Sequence, residues 1–208
     1  MMKIYTLCAV ALICCLASCS SIQTLTFDQL CPATVNFPER VRNVAVVNNM
    51  PATPEAKRTL LTLGEMNGNG KKSAEMLASS LADSKYFNQV IICDSALNDT
   101  HFAGRRILTQ KEVQQLAGEL DADLIFSLDQ VGIQTERDEL VYPGIAASWP
   151  VIKAKVTPVL SIYLPERERP IQVIAKTDSL QWDAGLAPSD RQMQEEAASY
   201  AAYMLTQM

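Results

Sequence analysis

The chain has 208 residues, with 18 lysines and arginines against 23 aspartates and glutamates, a single histidine and a formal charge of −5. The excess of acid, with no cluster of cations, excludes nucleic acid as a partner. An apolar content of 48% is ordinary for a globular domain, and a chain of this length can bury one sizeable core.

Lys3 leads into an apolar run from Ile4 to Leu16, too short to span a bilayer and of the length of a signal-peptide core. Small side chains at Ala17 and Ser18 then precede Cys19. Leu16-Ala17-Ser18-Cys19 resembles a bacterial lipoprotein signal. The resemblance implies cleavage before Cys19, a diacylglycerol thioether on its sulfur and acylation, as by palmitate, of the new amine. Several acyl chains exceed what stable attachment needs, at about 0.8 kcal/mol per buried methylene, so a membrane held through Cys19 is the first expected partner. Ser20 stands where an aspartate would resemble an inner-membrane retention signal, and no acidic cluster follows, which points to the periplasmic face of the outer membrane. Cys8, Cys14 and Cys15 leave with the signal, so Cys31 and Cys93 remain, and whether they are bridged stays open.

Residues 1–18 are thus expected to be a signal peptide, 19–37 a lipidated tether with an extended segment, and 38–208 a single α/β domain. Val44-Ala45-Val46-Val47, ended by Asn48-Asn49, has the continuous apolar pattern of a strand covered on both faces. Met50 to Gly70 reads as a long polar loop in which Thr53-Pro54-Glu55 could cap a short helix over 56–63. Ala74, Leu77, Ala78 and Leu81 recur at helical spacing over 71–84, and Gln89 to Cys93 is the second strand. Thr109 and Glu112 form a capping box with Leu108 and Val113 at the staple positions, and Val113, Leu116, Ala117 and Leu120 give that helix its buried face.

Leu124 to Leu128 is the third strand. Its inward parity changes from even at Leu124, Phe126 and Leu128 to odd at Val131 and Ile133, which predicts a bulge within 129–132. Residues 151–164 and 171–182 alternate as the arms of a hairpin turned at Pro165 to Pro170, with Pro158 marking an edge or a bulge. Ser189 and Gln192 form a second capping box that opens a final helix with Met193, Ala197, Tyr200, Ala201 and Met204 on one face. The fold class is therefore α/β: a three-stranded parallel β-α-β-α-β core, extended by an antiparallel β-hairpin, with the C-terminal helix packed on the sheet.

The runs Pro32 to Pro38, Val41 to Asn49 and Ala122 to Asp129 resemble an uncharacterised family of Gram-negative lipoproteins, a domain of unknown function. The order of elements is also similar to that of envelope lipoproteins of curli secretion and of penicillin-binding-protein activation, and of the N-terminal domain of the Tol-associated propeller protein. That likeness implies an assembly or contact role without catalysis, and an envelope protein as partner.

Candidate chemistry is sparse. Gly68-Asn69-Gly70-Lys71-Lys72-Ser73 has neither the spacing nor the preceding strand of a phosphate loop. His101 has no nucleophile elbow and no second nitrogen ligand beside it, which leaves no catalytic residue, metal or cofactor to assign, and a hydrolase would have to depend on His101. Asn48, Asn49, Asp94, Ser95, Asp129 and Gln130 fall at the carboxyl ends of the three parallel strands, where open α/β sheets bind ligands, and form the candidate edge for a partner or a small ligand such as a glycan. The same residue types also satisfy backbone groups where strands end. Trp149 and Trp182 read as packing residues more than as sugar-stacking platforms. Asp94-Ser95-Ala96 and Asp178-Ser179-Leu180 resemble the acceptor motif of periplasmic O-glycosylation, which implies Ser95 and Ser179 as modification sites.

Overall fold

Strand β1 (Asn43–Asn48) is buried from Val44 onward, as its unbroken apolar run requires, because it pairs on both edges and is covered on both faces. The structure is a computed structural model that describes residues 35–51, 61–93, 107–141, 144 and 147–207. Its described elements continue with β2 (Gly64–Asn67), α1 (Gly70–Asp83), β3 (Gln89–Cys93), α2 (Gln110–Leu120), β4 (Leu124–Val141), β5 (Ser148–Tyr163), β6 (Gln172–Ala175), β7 (Asp178–Asp183), a short 3-10 turn at Ala184–Leu186 and α3 (Asp190–Thr206).

The class is mixed α/β. β1 lies between β3 and β4 and is parallel to both, with Val46 opposite Ile92 and Phe126. Antiparallel strands extend this core, and the sheet order is β3-β1-β4-β5-β6, with β2 added to β4 and β7 added to β5. β4 and β5 form the spine, since they pair from Ile125 opposite Tyr163 to Val141 opposite Ser148.

The third strand does not end at Leu128 but runs on to Val141, because β5 supplies a partner for every residue past the bulge, the charged run Glu136 to Glu139 included. The second arm of the expected hairpin is two strands, β6 and β7, both on β5. The segment Met50 to Gly70 is not all loop, because Glu65 to Asn67 pair with Gln134 to Gly132 and Met66 packs on the core. Of the short helix expected over 56–63, residues 61–63 are not helical and 56–60 lie outside the described residues.

The bulge is where the parity placed it. Register shifts between Leu128 and Gln130, which leaves Asp129 as the extra residue, and Leu128 and Val131 both reach the same core. Pro158 pairs with Val131 close to the bulge, where β5 passes from β7 to β6; its carbonyl accepts from Lys176 N–H at 3.3 Å, and its missing N–H falls in the gap between the two partner strands.

Both capping boxes form. Thr109 Oγ1 and Ser189 Oγ accept from the Glu112 and Gln192 backbones, and each partner side chain reaches back to the cap N–H. The larger core lies between the sheet and helices α1 and α3, around Val44, Val46, Phe126, Leu160, Leu77 and Met193. Phe37, Phe87 and Phe126 close its end edge to face, with centroids 5.6 to 5.9 Å apart. The smaller core lies on the opposite face under α2, with Val113 and Ala117 against Ala45, Val47, Ile125 and Tyr163, and Leu116 and Leu120 at its border.

Helix α1 approaches the sheet through glycine. A Cβ on Gly70 would meet Asn48 Oδ1 at 2.7 Å and Met50 Sδ at 2.9 Å, so the pattern that invites a phosphate-loop reading serves close packing instead. Asn69 caps that helix by accepting from Lys72 N–H at 3.0 Å. Helix α3 is tied at both ends by distant chain. Asp190, at its first turn, accepts from Thr62 N–H at 2.6 Å and Thr62 Oγ1 at 2.7 Å, while Lys176 Nζ donates to the Met204 and Gln207 carbonyls at 2.8 and 2.7 Å.

Candidate functional site

The polar residues at the end of β1 and at the bulge of β4 are closed off rather than open to solvent. Asn48, Asn49 and Asp129 are buried, together with Ser127 and Ser161. Asp129 is 2% exposed and accepts at one oxygen from Asn49 Nδ2 at 2.9 Å and Ser127 Oγ at 2.7 Å, and at the other from Ser161 Oγ at 2.5 Å. The extra residue of the bulge thereby turns its carboxyl group inward, where it ties the end of β1 to β4 and β5. Asn48 works on the other face, where its Oδ1 accepts from Met50 N–H at 3.2 Å and touches the approach of Gly70. These groups hold strand ends together, so of the candidate edge residues that are described only Gln130 reaches solvent. Asp94, Ser95, Cys19, Cys31 and His101 lie outside the described residues. Ser127 and Ser161 are the members of this network that sequence reasoning did not single out.

Past the bulge the same sheet face is different. Val131 and Ile133 point into the large core, so Gln130, Gly132 and Gln134 point the other way, as do Lys155 and Thr157 beside them and Glu65 and Asn67 beyond. Register sets these side chains in rows: Glu65, Gln134, Lys155 and Ser179 across β2, β4, β5 and β7, and Asn67, Gly132 and Thr157 in the next. No described helix covers this face. Because Gly132 has no side chain, a depression of about 450 Å³ opens over it, with Gln130 Nε2 3.1 Å from where a Cβ would stand. Amides, a carboxylate, an ammonium and a hydroxyl therefore line one concave patch, which can exchange hydrogen bonds with a polar surface or a polyhydroxylated ligand. The alternation Gln130-x-Gly132-x-Gln134 was the sequence signal for it. Ser179 is half-exposed at the β7 end of its row, and its N–H donates to Asp178 Oδ1 at 2.7 Å.

Among the described residues, the Asp123 and Asp178 carboxyl groups have shifted titration. Asp123 is held below the usual carboxylate range by backbone N–H bonds from Asn43 and then Arg42, each 2.9 Å long, which bind the start of β4 to β1. Asp178 is lowered first by the Tyr200 hydroxyl that donates to it, and the same bond raises the Tyr200 phenol. Cys93 is a half-buried free thiol.

Among the described residues no cluster of three or more metal-ligating side chains occurs, and no helix is long and apolar enough to cross a membrane. No curated protein matches the sequence. Similar solved structures include a homolog of neuraminyllactose-binding hemagglutinin from Helicobacter pylori, at 12% identity and a TM-score of 0.45 over 82% of this chain and 84% of that one. The PelC dodecamer from Paraburkholderia phytofirmans matches at 15% identity and 0.38 over 80% and 86%, and a minor lipoprotein from Acinetobacter baumannii at 11% and 0.39 over 82% and 91%. The model of the domain of unknown function DUF8603 matches residues 41–207, a span that holds every strand and helix described above, and the chain belongs to that family.

Proposed function

We propose that this chain is a non-catalytic envelope lipoprotein, anchored through Cys19 at the periplasmic face of the outer membrane, that acts as a protein-interaction or assembly module. The observation that carries the reading is the polar, exposed sheet face of β2, β4, β5 and β7, which no described helix covers. Rows of solvated side chains stand there on a paired, rigid scaffold, whereas the strand-end carboxyl group is spent on holding the fold. A photo-crosslinking residue at Gln134, in intact envelopes, tests it. A discrete protein adduct is expected, and none under several growth conditions overturns the reading.

The depression over Gly132 supports a second reading, in which the lipoprotein binds a small polyhydroxylated ligand such as a glycan through Gln130, Gln134 and Lys155. In that case Gly132→Leu fills the site and abolishes binding of envelope glycan fragments while the Gln134 adduct is absent. Ser179 is a candidate for O-glycosylation on the rim of the same face, and a mass increment lost in Ser179→Ala is the expected sign of it.

A further inference from the structure

Helix α3 presents a second surface, remote in kind from the polar sheet face. Glu196, Tyr200 and Tyr203 follow one another at spacings of four and three residues and so share a stripe. Met193, Ala197, Ala201 and Leu205 meanwhile face the core. The stripe borders an open groove of about 470 Å³ between α1, α3 and β7, lined also by Leu180 and by Lys72, whose charge Glu195 meets. The Tyr200 and Tyr203 rings are 21° from parallel with centroids 6.2 Å apart, and Tyr203 is 59% exposed, so together they make an aromatic wall. The Tyr200 hydroxyl donates to Asp178, which fixes that ring from β7.

The charges are unequally spent. Glu195 already has Lys72 Nζ at 3.8 Å and Arg191 Nε at 3.4 Å, but Glu196, the next residue and exposed, has no ion pair among the described residues. An aromatic wall, an aliphatic neighbour and an uncompensated carboxylate are the three features that recognise a cationic side chain: its stem packs on carbon, its charge meets the ring quadrupole, and the carboxylate pairs with it. A planar guanidinium fits this set better than an ammonium because it stacks on a ring while donating sideways. Tyrosine is also enriched, and contributes disproportionately, at protein contacts.

We propose that the pocket formed by Tyr200, Tyr203, Leu180 and Glu196 accepts an arginine side chain from a partner protein. The proposal deepens the partner-binding reading and rests on it, but names a surface and a chemistry that the reading does not. The test uses the full mature chain in micelles of a choline-free detergent, labelled with fluorotyrosine and followed by fluorine NMR, with acetyl-Gly-Arg-Gly-amide as the probe. The Tyr200 and Tyr203 resonances should shift saturably while exposed Tyr86 stays still, and Glu196→Gln should weaken binding about fivefold. Tyr203→Ala should abolish the shift at Tyr200. Both residues are exposed, so the variants keep their fold, and an unchanged thermal unfolding curve verifies it. An equal response to acetyl-Gly-Gln-Gly-amide, unchanged affinity in Glu196→Gln, or phosphocholine binding as tightly as the arginine peptide would each overturn the assignment. Because the probe is a defined peptide, failure here is separate from failure to find an adduct at Gln134.

Discussion

Removing the carboxyl group at the bulge should be among the costliest single changes in the domain. In Asp129→Ala the Asn49 amide and the Ser127 and Ser161 hydroxyls lose their acceptor in a region where all three are fully buried. Each unsatisfied buried group costs about 1–3 kcal/mol. A hydroxyl can rotate to recover part of its loss and the buried carboxyl no longer has to be desolvated, so the net is about 3–5 kcal/mol. For a domain of this size that lowers Tm by roughly 10 °C. Asp129→Asn separates geometry from charge: its Oδ1 still accepts from Asn49 and Ser127, and its amide can donate to Ser161, which then accepts, so a loss of about 1 kcal/mol is expected. Urea denaturation followed by circular dichroism, extrapolated linearly to water, measures both. If Asp129→Ala unfolds within about 1 kcal/mol of the parent protein, the network does not hold the strand ends as argued.

Cys19→Ala should yield an unprocessed or soluble form, and acyl labelling that persists in it would remove the anchor assignment. The Asp123 carboxyl is depressed in the folded chain by the Asn43 and Arg42 amides, so its contribution is fully present above the ordinary carboxylate pKa and is lost as pH falls through the lower folded value. Stability should therefore fall below about pH 4 in the parent protein and fall less steeply in Asp123→Asn, as read by denaturation across pH. Replacing Met50 to Gly70 by a Gly/Ser connector should cost several kcal/mol, since it removes β2, the core contact of Met66 and the clamp of Thr62 on Asp190, and an unchanged midpoint in urea would show that these contacts carry no weight.

Local signals were readable where the chemistry is local. Thr109 with Glu112 and Ser189 with Gln192 cap helices because both partners lie within one turn, and the parity change across Asp129 exposes the bulge because side-chain alternation is a property of one strand. β2 left no such trace: Gly64-Glu65-Met66-Asn67 has one inward residue and no β-branched side chain, and it is a strand only because β4, far along the chain, offers it an edge. The charged end of β4 was unreadable for the same reason. Asn48 and Asn49 close β1, whereas Asp129 and Gln130 lie at the bulge inside β4, and the burial of Asn49 and Asp129 was not readable because asparagine and aspartate look alike in sequence whether they face water or each other. Asn49 and Asp129 are 80 residues apart, and only the folded sheet makes the bond between them.

The clamp at the head of α3 also sets the order in which the chain can acquire its fold. Thr62 waits for Asp190, Ser73 for the Ala198 carbonyl and the Asn67 carbonyl for Gln194, partners 125 to 128 positions later. The inner face of α1 thus has no complete seat until the closing helix of the chain has been made. Contacts of such separation slow folding, because loop closure is lost entropy before any contact repays it. The packing of α1 against α3 is for that reason among the later parts of the domain to consolidate.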